Sequence, residues 1–206
     1  WQDGGQLVPP HDDAVINMIS ALEYANIKFQ ANNDFIHYIG KEVDDVFIDA
    51  SVKNGDVGAT QAAKDNLNIV FTSLHGTSIT AVPETLKRAG YKNVNLVKEQ
   101  EKPDGDFPTV ASPNPEEPAA LKMALELAEK ENADIVIGTD PDCDRLGVAV
   151  RNSEGKMQLL NGNQTMVMMV DFLLKKWKSE DKIKGEEFIA TTIVSTPMIN
   201  KLAESY

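Results

Sequence analysis

Cysteine is nearly missing from these 206 residues. Cys143 stands alone, which excludes an intrachain disulfide framework and makes the reducing cytosol the default compartment. Positive charge is also in short supply: 20 Lys and Arg face 32 Asp and Glu, for a net charge of −12. That balance argues against nucleic acid or an anionic membrane as partner, because phosphate binding needs clustered Lys and Arg. No long apolar run is present. The nearest approach, Thr165 to Leu174, is interrupted by Asp171 and falls well short of the ~18 residues a membrane-spanning helix needs. The chain has no charged-then-apolar start of the signal-peptide kind, no internal repeat and no low-complexity tract. What is there is ordinary for a globular protein: 42% hydrophobic and 25% charged residues, enough for one or two compact units.

Both ends lead to the expectation of a segment cut from a longer protein. The chain opens at Trp1 without a Met, in a polar Gly-rich stretch. Near the other end, an apolar run from Phe188 to Val194 predicts a strand. Ser195-Thr196-Pro197 predicts a turn, and Met198 to Tyr206 a helix with no strand returning from it.

Between the ends, strands alternate with helices. Asp12 to Phe29 is predicted as a helix, with Asp12 or Asp13 as cap and an apolar stripe through Val15, Ile16, Ile19, Leu22 and Ile27. Val43 to Val52 is predicted helical and stopped by Asn54-Gly55; Ala59 to Asn66 stays unassigned. Asn68 to Ser73 predicts a buried strand, followed by the loop Leu74 to Ser78 and a helix from about Ala81 to Ala89 with Pro83 in its first turn. Val94 to Val97 completes a βαβ unit, which implies a parallel pair. Lys98 to Pro118 carries five prolines and so is neither a regular helix nor a central strand; it is an ordered loop or strap. Glu116 to Asn132 predicts a helix and Asp134 to Gly138 a buried strand. Leu146 to Val150 and Met157 to Leu160 predict a hairpin, and Gln164 to Trp177 a final long helix. The class is therefore α/β, mostly parallel, with ligands expected at strand carboxyl ends.

The sharpest chemical feature is Asp140-x-Asp142-x-Asp144, followed by Arg145, directly after a predicted buried strand. In an extended loop, alternate side chains share one side, so the three carboxylates can converge. Such a cluster is self-repelling unless a cation sits among them. Oxygen donors select Mg²⁺, Ca²⁺ or Mn²⁺, and the soft set that Zn²⁺ favours is missing. An EF-hand is excluded, because its sixth and twelfth positions hold Arg145 and Arg151 instead of Gly and Glu. Pro141 stiffens the loop, which suits the geometrically strict Mg²⁺. The planar fork of Arg145 suits a phosphate oxygen, so triad and arginine together point to phosphoryl chemistry. A solvated acidic turn without metal is the alternative.

From Gly138 to Val150 the chain reads G-T-D-P-D-C-D-R-L-G-V-A-V, which resembles the metal-binding loop of the α-D-phosphohexomutases, the phosphoglucomutase/phosphomannomutase family. Four further stretches resemble that family in the same order: Trp1 to Asp12, Phe71 to Thr77, Phe107 to Glu117 with Leu160 to Asn163, and Phe188 to Leu202. The resemblance implies three-layer α/β domains with a mixed, mostly parallel sheet. It divides the chain into the tail of domain I with a connecting helix (1–40), domain II with the metal loop (41–180) and the start of domain III (181–206). It implies a cytoplasmic isomerase of carbohydrate metabolism, a phosphoprotein that interconverts hexose 1-phosphate and hexose 6-phosphate through a phosphoserine and a bisphosphate intermediate. Glucose is expected before mannose as the sugar. By the same resemblance Mg²⁺ is held by Asp140, Asp142 and Asp144, and Arg145 is the active-site arginine. The serine loop, and parts of domains III and IV that would complete the site, fall outside residues 1–206, so this chain alone is expected to be inactive. Cys143 departs from the family's usual Ala.

His75, at a predicted strand-to-helix turn, is a candidate substrate contact, with a backbone-bonded loop histidine as the plainer option. Thr77 and Ser78 either cap the next helix or bind a phosphate at its N-terminus. The proline strap is either a moving lid or a surface for the missing first domain. Two other functions stay open: a phosphopentomutase of the same superfamily, and a non-enzymatic module whose acidic loop binds metal only to stabilise the fold.

Overall fold

A computed structural model describes residues 1–206. The chain forms two compact units, 1–40 and 41–206. The first contains α1 (His11–Ser20) and two short 3-10 turns, and none of these elements has a buried residue. The helix expected to reach Phe29 ends nine residues early. Ala21 and Leu22 close the last turn onto Asn17 and Ile19, and Glu23 then becomes extended. Val15, Ile16, Ile19 and Leu22 all stay exposed. A ten-residue helix gains little from propensity alone, and within this unit nothing covers its apolar stripe.

The second unit is built on a five-stranded sheet in the order β2-β1-β3-β4-β5. The strands are β1 (Asn68–Thr72), β2 (Asn93–Leu96), β3 (Ile135–Thr139), β4 (Leu146–Arg151) and β5 (Met157–Leu160). β1 pairs in parallel with both β2 and β3, while β4 and β5 return as an antiparallel hairpin. The sheet is thus mixed, in an α/β unit as the sequence indicates. Helices α2 (Lys41–Gly55), α3 (Gln61–Asn66) and α4 (Val82–Arg88) flank its first strands; α5 (Lys122–Lys130), α6 (Gly162–Ser179) and α7 (Met198–Ser205) follow. Val70 of β1 packs with Val97, Ala124, Ala128, Val136 and Ala149 in one apolar cluster. Ile69 and Phe71 point to the opposite face by strand alternation and are equally buried, so β1 is covered on both sides. Truncating Phe71 to Ala would cost about 3–5 kcal/mol.

Two further expectations need correction, and one segment without an assignment gains one. The helix predicted from Glu116 begins only at Lys122, because Pro118 has no N–H to give and residues 114–121 close tighter i→i+3 turns, such as Ala120 N–H to Glu117 O at 3.0 Å. Phe188 to Val194 is not a strand. A strand needs a neighbour for its backbone groups; none lies beside this run, and Phe188, Ile193 and Val194 are exposed. Ala59 to Asn66, whose polar sequence favours no element, contains α3, capped by Thr60, whose hydroxyl accepts the Ala63 N–H at 3.2 Å.

The topology positions the functional site. From β1 the chain crosses through α4 to β2 on one side, and then through the strap and α5 back to β3 on the other. The loops leaving the carboxyl ends of β1 and β3 therefore lie side by side, at the point where the strand order reverses. In open α/β sheets that crevice is where ligands bind.

Candidate metal centre

β3 ends at Thr139, and the acidic loop begins at once. Asp140, Asp142 and Asp144 converge so that one ligand oxygen from each lies within 4.8 Å of the others. Asp140 is 7% exposed, while Asp142 and Asp144 face solvent. Two devices hold the loop's shape locally. The Arg145 N–H donates to Asp140 Oδ1 at 2.9 Å, fixing the buried carboxylate. Cys143 takes a left-handed φ of 64°, which turns the chain between the second and third aspartates.

Electrostatics follow from this crowding. The Asp144 carboxyl is pushed above its ordinary value, first by its hydrogen bond to Asp140 and then by the negative charges of Asp142 and Asp140. The nearest cation does not cancel them: Arg145 Nε is 3.8 Å from both Asp140 and Asp144, too long for a hydrogen bond. The guanidinium is more than half exposed. Three convergent carboxylate oxygens without a bonded cation make a donor set that suits a hard divalent ion. The Cys143 thiol is raised mainly by burial, with a bond from the Thr139 hydroxyl acting against that and the three aspartates adding to it, so it is a poor soft ligand at neutral pH.

The neighbouring loop, from the carboxyl end of β1, departs from expectation. Thr77 and Ser78 cap no helix; α4 begins after Ala81 and has no side-chain cap. Instead the Thr77 N–H and hydroxyl both donate to the Pro141 carbonyl, at 2.8 and 3.0 Å, and the Ser78 hydroxyl bonds that of Thr139 at 2.6 Å. His75 is 4% exposed. Its Nδ1 contacts the Lys102 carbonyl at 3.1 Å and its Nε2 the Thr109 hydroxyl at 2.8 Å, which leaves neither nitrogen free for a ligand. The partners of this histidine all belong to the proline strap. That strap packs against the chain's own sheet: Gln100 is fully buried between Thr72, at 2.6 Å, and Thr109, at 3.0 Å, and Pro115 lies so close to Gly147 that a Cβ there would stand 2.8 Å from the Pro115 carbonyl carbon. Sequence reasoning missed these roles of Thr77, Ser78, Gln100 and Thr109. Their partners are remote in the chain, so no local spacing reveals them.

With this geometry established, comparison with known proteins is decisive. A family model described as phosphoglucomutase/phosphomannomutase, alpha/beta/alpha domain II, matches residues 45–155. The chain belongs to this family. A probable phosphomannomutase of Haemophilus influenzae is 33% identical over 203 residues, which is 98% of this chain and 40% of that protein. A phosphoglucomutase of Staphylococcus aureus is 47% identical over 140 residues, 68% of this chain and 25% of that protein. This member of the phosphoglucomutase/phosphomannomutase family thus spans between a quarter and two fifths of the length of these curated relatives. A crystal structure of a phosphoglucomutase/phosphomannomutase family protein from Burkholderia thailandensis superposes with a TM-score of 0.52 at 22% identity, covering 65% of this chain and 26% of that one; the likeness is one of fold. No helix is long and apolar enough to cross a membrane.

Proposed function

We propose that this chain supplies the Mg²⁺ site of a phosphosugar mutase that interconverts hexose 1-phosphate and hexose 6-phosphate. The observation that carries the proposal is the convergence of Asp140, Asp142 and Asp144 within 4.8 Å at the switch point of a sheet whose sequence matches domain II of the family. In this proposal the three aspartates hold the ion. Arg145, with its terminal nitrogens unspent on the neighbouring carboxylates, forks onto an oxygen of the transferring phosphoryl group. A bound Mg²⁺ neutralises charge on that group, which is the main requirement of phosphoryl transfer. Asp140, buried and fixed by the Arg145 N–H, anchors the set, and the exposed Asp142 and Asp144 adjust to the ion and its water.

The phosphoserine donor and the sugar-reading loops are assigned to further domains of a longer cytoplasmic polypeptide. The short span of this chain against its relatives supports that assignment. Residues 41–180 would then be domain II, flanked by the end of domain I and the start of domain III. The chain alone is expected to turn over no sugar.

The test uses the full-length enzyme that contains this chain. Conversion of glucose 1-phosphate, mannose 1-phosphate and ribose 1-phosphate is measured with Mg²⁺ and a trace of sugar bisphosphate, for wild type and Asp142→Asn. Turnover of a hexose phosphate that collapses in the variant supports the proposal. Preference for ribose phosphate moves the enzyme to the pentomutases. No turnover of any sugar by folded, serine-phosphorylated protein overturns the mutase assignment.

A further inference from the structure

The loop after β1 is under strain and closely tied to the acidic loop. Leu74 and His75 both take left-handed backbone conformations, with φ of 46° and 63°. Two consecutive non-glycine residues in that region are costly and persist only where the surroundings enforce them. Here the enforcement is visible. The Leu74 N–H donates to the Thr72 hydroxyl at 3.1 Å, the His75 N–H to Gln100 O at 3.0 Å, and the Gly76 N–H to Ser73 O at 2.8 Å. The His75 ring is clamped between Lys102 and Thr109. The result of the distortion is to press Gly76 onto Pro141. A Cβ on Gly76 would overlap the Pro141 Cα and stand 2.6 Å from its carbonyl oxygen. Gly76 itself is extended, with φ of −104°, so glycine is needed there for close approach and not for its backbone freedom.

From this we infer that the Gly76-Thr77-Ser78 segment is a positioning clamp for the metal loop, setting the spacing of its three aspartates through Pro141 and Thr139. Thr77 places two donors on one carbonyl, that of Pro141, between the first and second aspartates. Ser78 fixes the Thr139 hydroxyl, one residue before the first, and both hydroxyl partners are buried. The carboxylates thus carry the charge, and the neighbouring strand's loop fixes the backbone that presents them. His75 acts one step further back, anchoring the clamp to the strap. None of these residues touches a reacting atom in this scheme; they are positioning residues.

The inference rests on the metal site proposed above, and its test separates the two. The full-length protein that contains this chain is prepared as wild type, Thr77→Val/Ser78→Ala, Thr77→Ser, and Thr85→Ala. The last removes a similar hydroxyl-to-carbonyl bond, Thr85 to Ala81 O at 2.8 Å, which lies at the start of α4 and does not bond the acidic loop. Mn²⁺ binding is read by electron paramagnetic resonance, and amide hydrogen exchange over residues 140–145 is read without metal. The double variant is expected to bind Mn²⁺ about tenfold more weakly, the usual size of a second-layer effect on metal affinity, and to exchange faster through the loop, with its melting temperature close to that of wild type. Thr77→Ser and Thr85→Ala are expected to match wild type in both. A double variant that equals wild type in Mn²⁺ affinity and in exchange overturns the clamp. If wild type binds no Mn²⁺, the metal site fails, and the exchange comparison alone then decides for or against the clamp.

Discussion

Two groups of three carboxylates, each beside one arginine, sit in the same unit and differ in almost every physical respect. In the first, Arg88 on α4 reaches Glu84 on its own helix and Asp45 and Asp49 on α2, with hydrogen bonds to all three. Arg88 is largely covered and its charge is held more firmly than usual by these partners. Asp45 and Glu84 fall below their ordinary values, through hydrogen bonds to Lys41 and Arg88 for the one and to Arg88 for the other. In the second group, the Arg145 guanidinium stands 3.8 Å off, makes no hydrogen bond to the aspartates, and leaves Asp144 raised, while only the backbone N–H of Arg145 bonds Asp140. The first group is complete within the chain. The second has more negative charge than its surroundings compensate, and that imbalance is the physical basis of the cation site proposed there.

The largest expected effect breaks the second group. Asp142→Asn should lower divalent-cation affinity on the order of a hundredfold, since it removes a charged ligand where even outer-layer changes cost tenfold or more, and should leave the melting temperature of the metal-free chain almost unmoved. Titration with Mn²⁺ and calorimetry on the same samples measure both. The converse substitution, Arg88→Ala, should lower the melting temperature by a few degrees, because it leaves three carboxylates of α2 and α4 facing one another, and should not touch cation affinity. If either substitution moved the other group's observable, the separation drawn here would collapse.

A smaller effect, with opposite signs in the two groups, comes from pH. Asp45 and Glu84 are depressed in the folded chain, so their contribution is present above their ordinary values of 3.8 and 4.5 and is lost as pH falls through the depressed ones. Asp144 is raised, so its ionised form costs stability in the metal-free chain at neutral pH, and that cost is relieved as pH falls through its raised value. Asp144→Asn should therefore raise metal-free stability slightly at pH 7, with the gain fading in acid; melting curves between pH 3 and pH 7 (about the ordinary carboxylate range and above) show it. The smallest effect concerns Cys143. Its thiol is raised by burial and by the aspartates, so alkylation by iodoacetamide at pH 7 should run slower than that of a free cysteine.

How much of this was legible beforehand depends on the range of the signal. The strands β1 to β5 and helix α6 are local patterns, and each lies within a residue or two of its predicted bounds; Asn161 and Gln164 even form the capping box that starts α6. The acidic loop was legible because alternate aspartates after a strand need no distant partner to be noticed. What failed was whatever depended on a neighbour. Phe188 to Val194 has a strand's composition but no strand to pair with. The α1 stripe has a helix's periodicity but no face to bury it within its unit. The roles of Gly76, Thr77 and Ser78 depend on Thr139 and Pro141, more than 60 residues away, and only the assembled sheet brings those together.

Thermal unfolding at pH 7, with and without millimolar Mg²⁺, for wild type and Asp144→Asn tests the central claim most directly, because a ligand that binds the folded state raises its stability by mass action. The account predicts a crossing: without Mg²⁺ the variant melts at or slightly above wild type, and with Mg²⁺ only wild type gains. Mg²⁺ that leaves wild type unmoved, or shifts both chains equally, would contradict it.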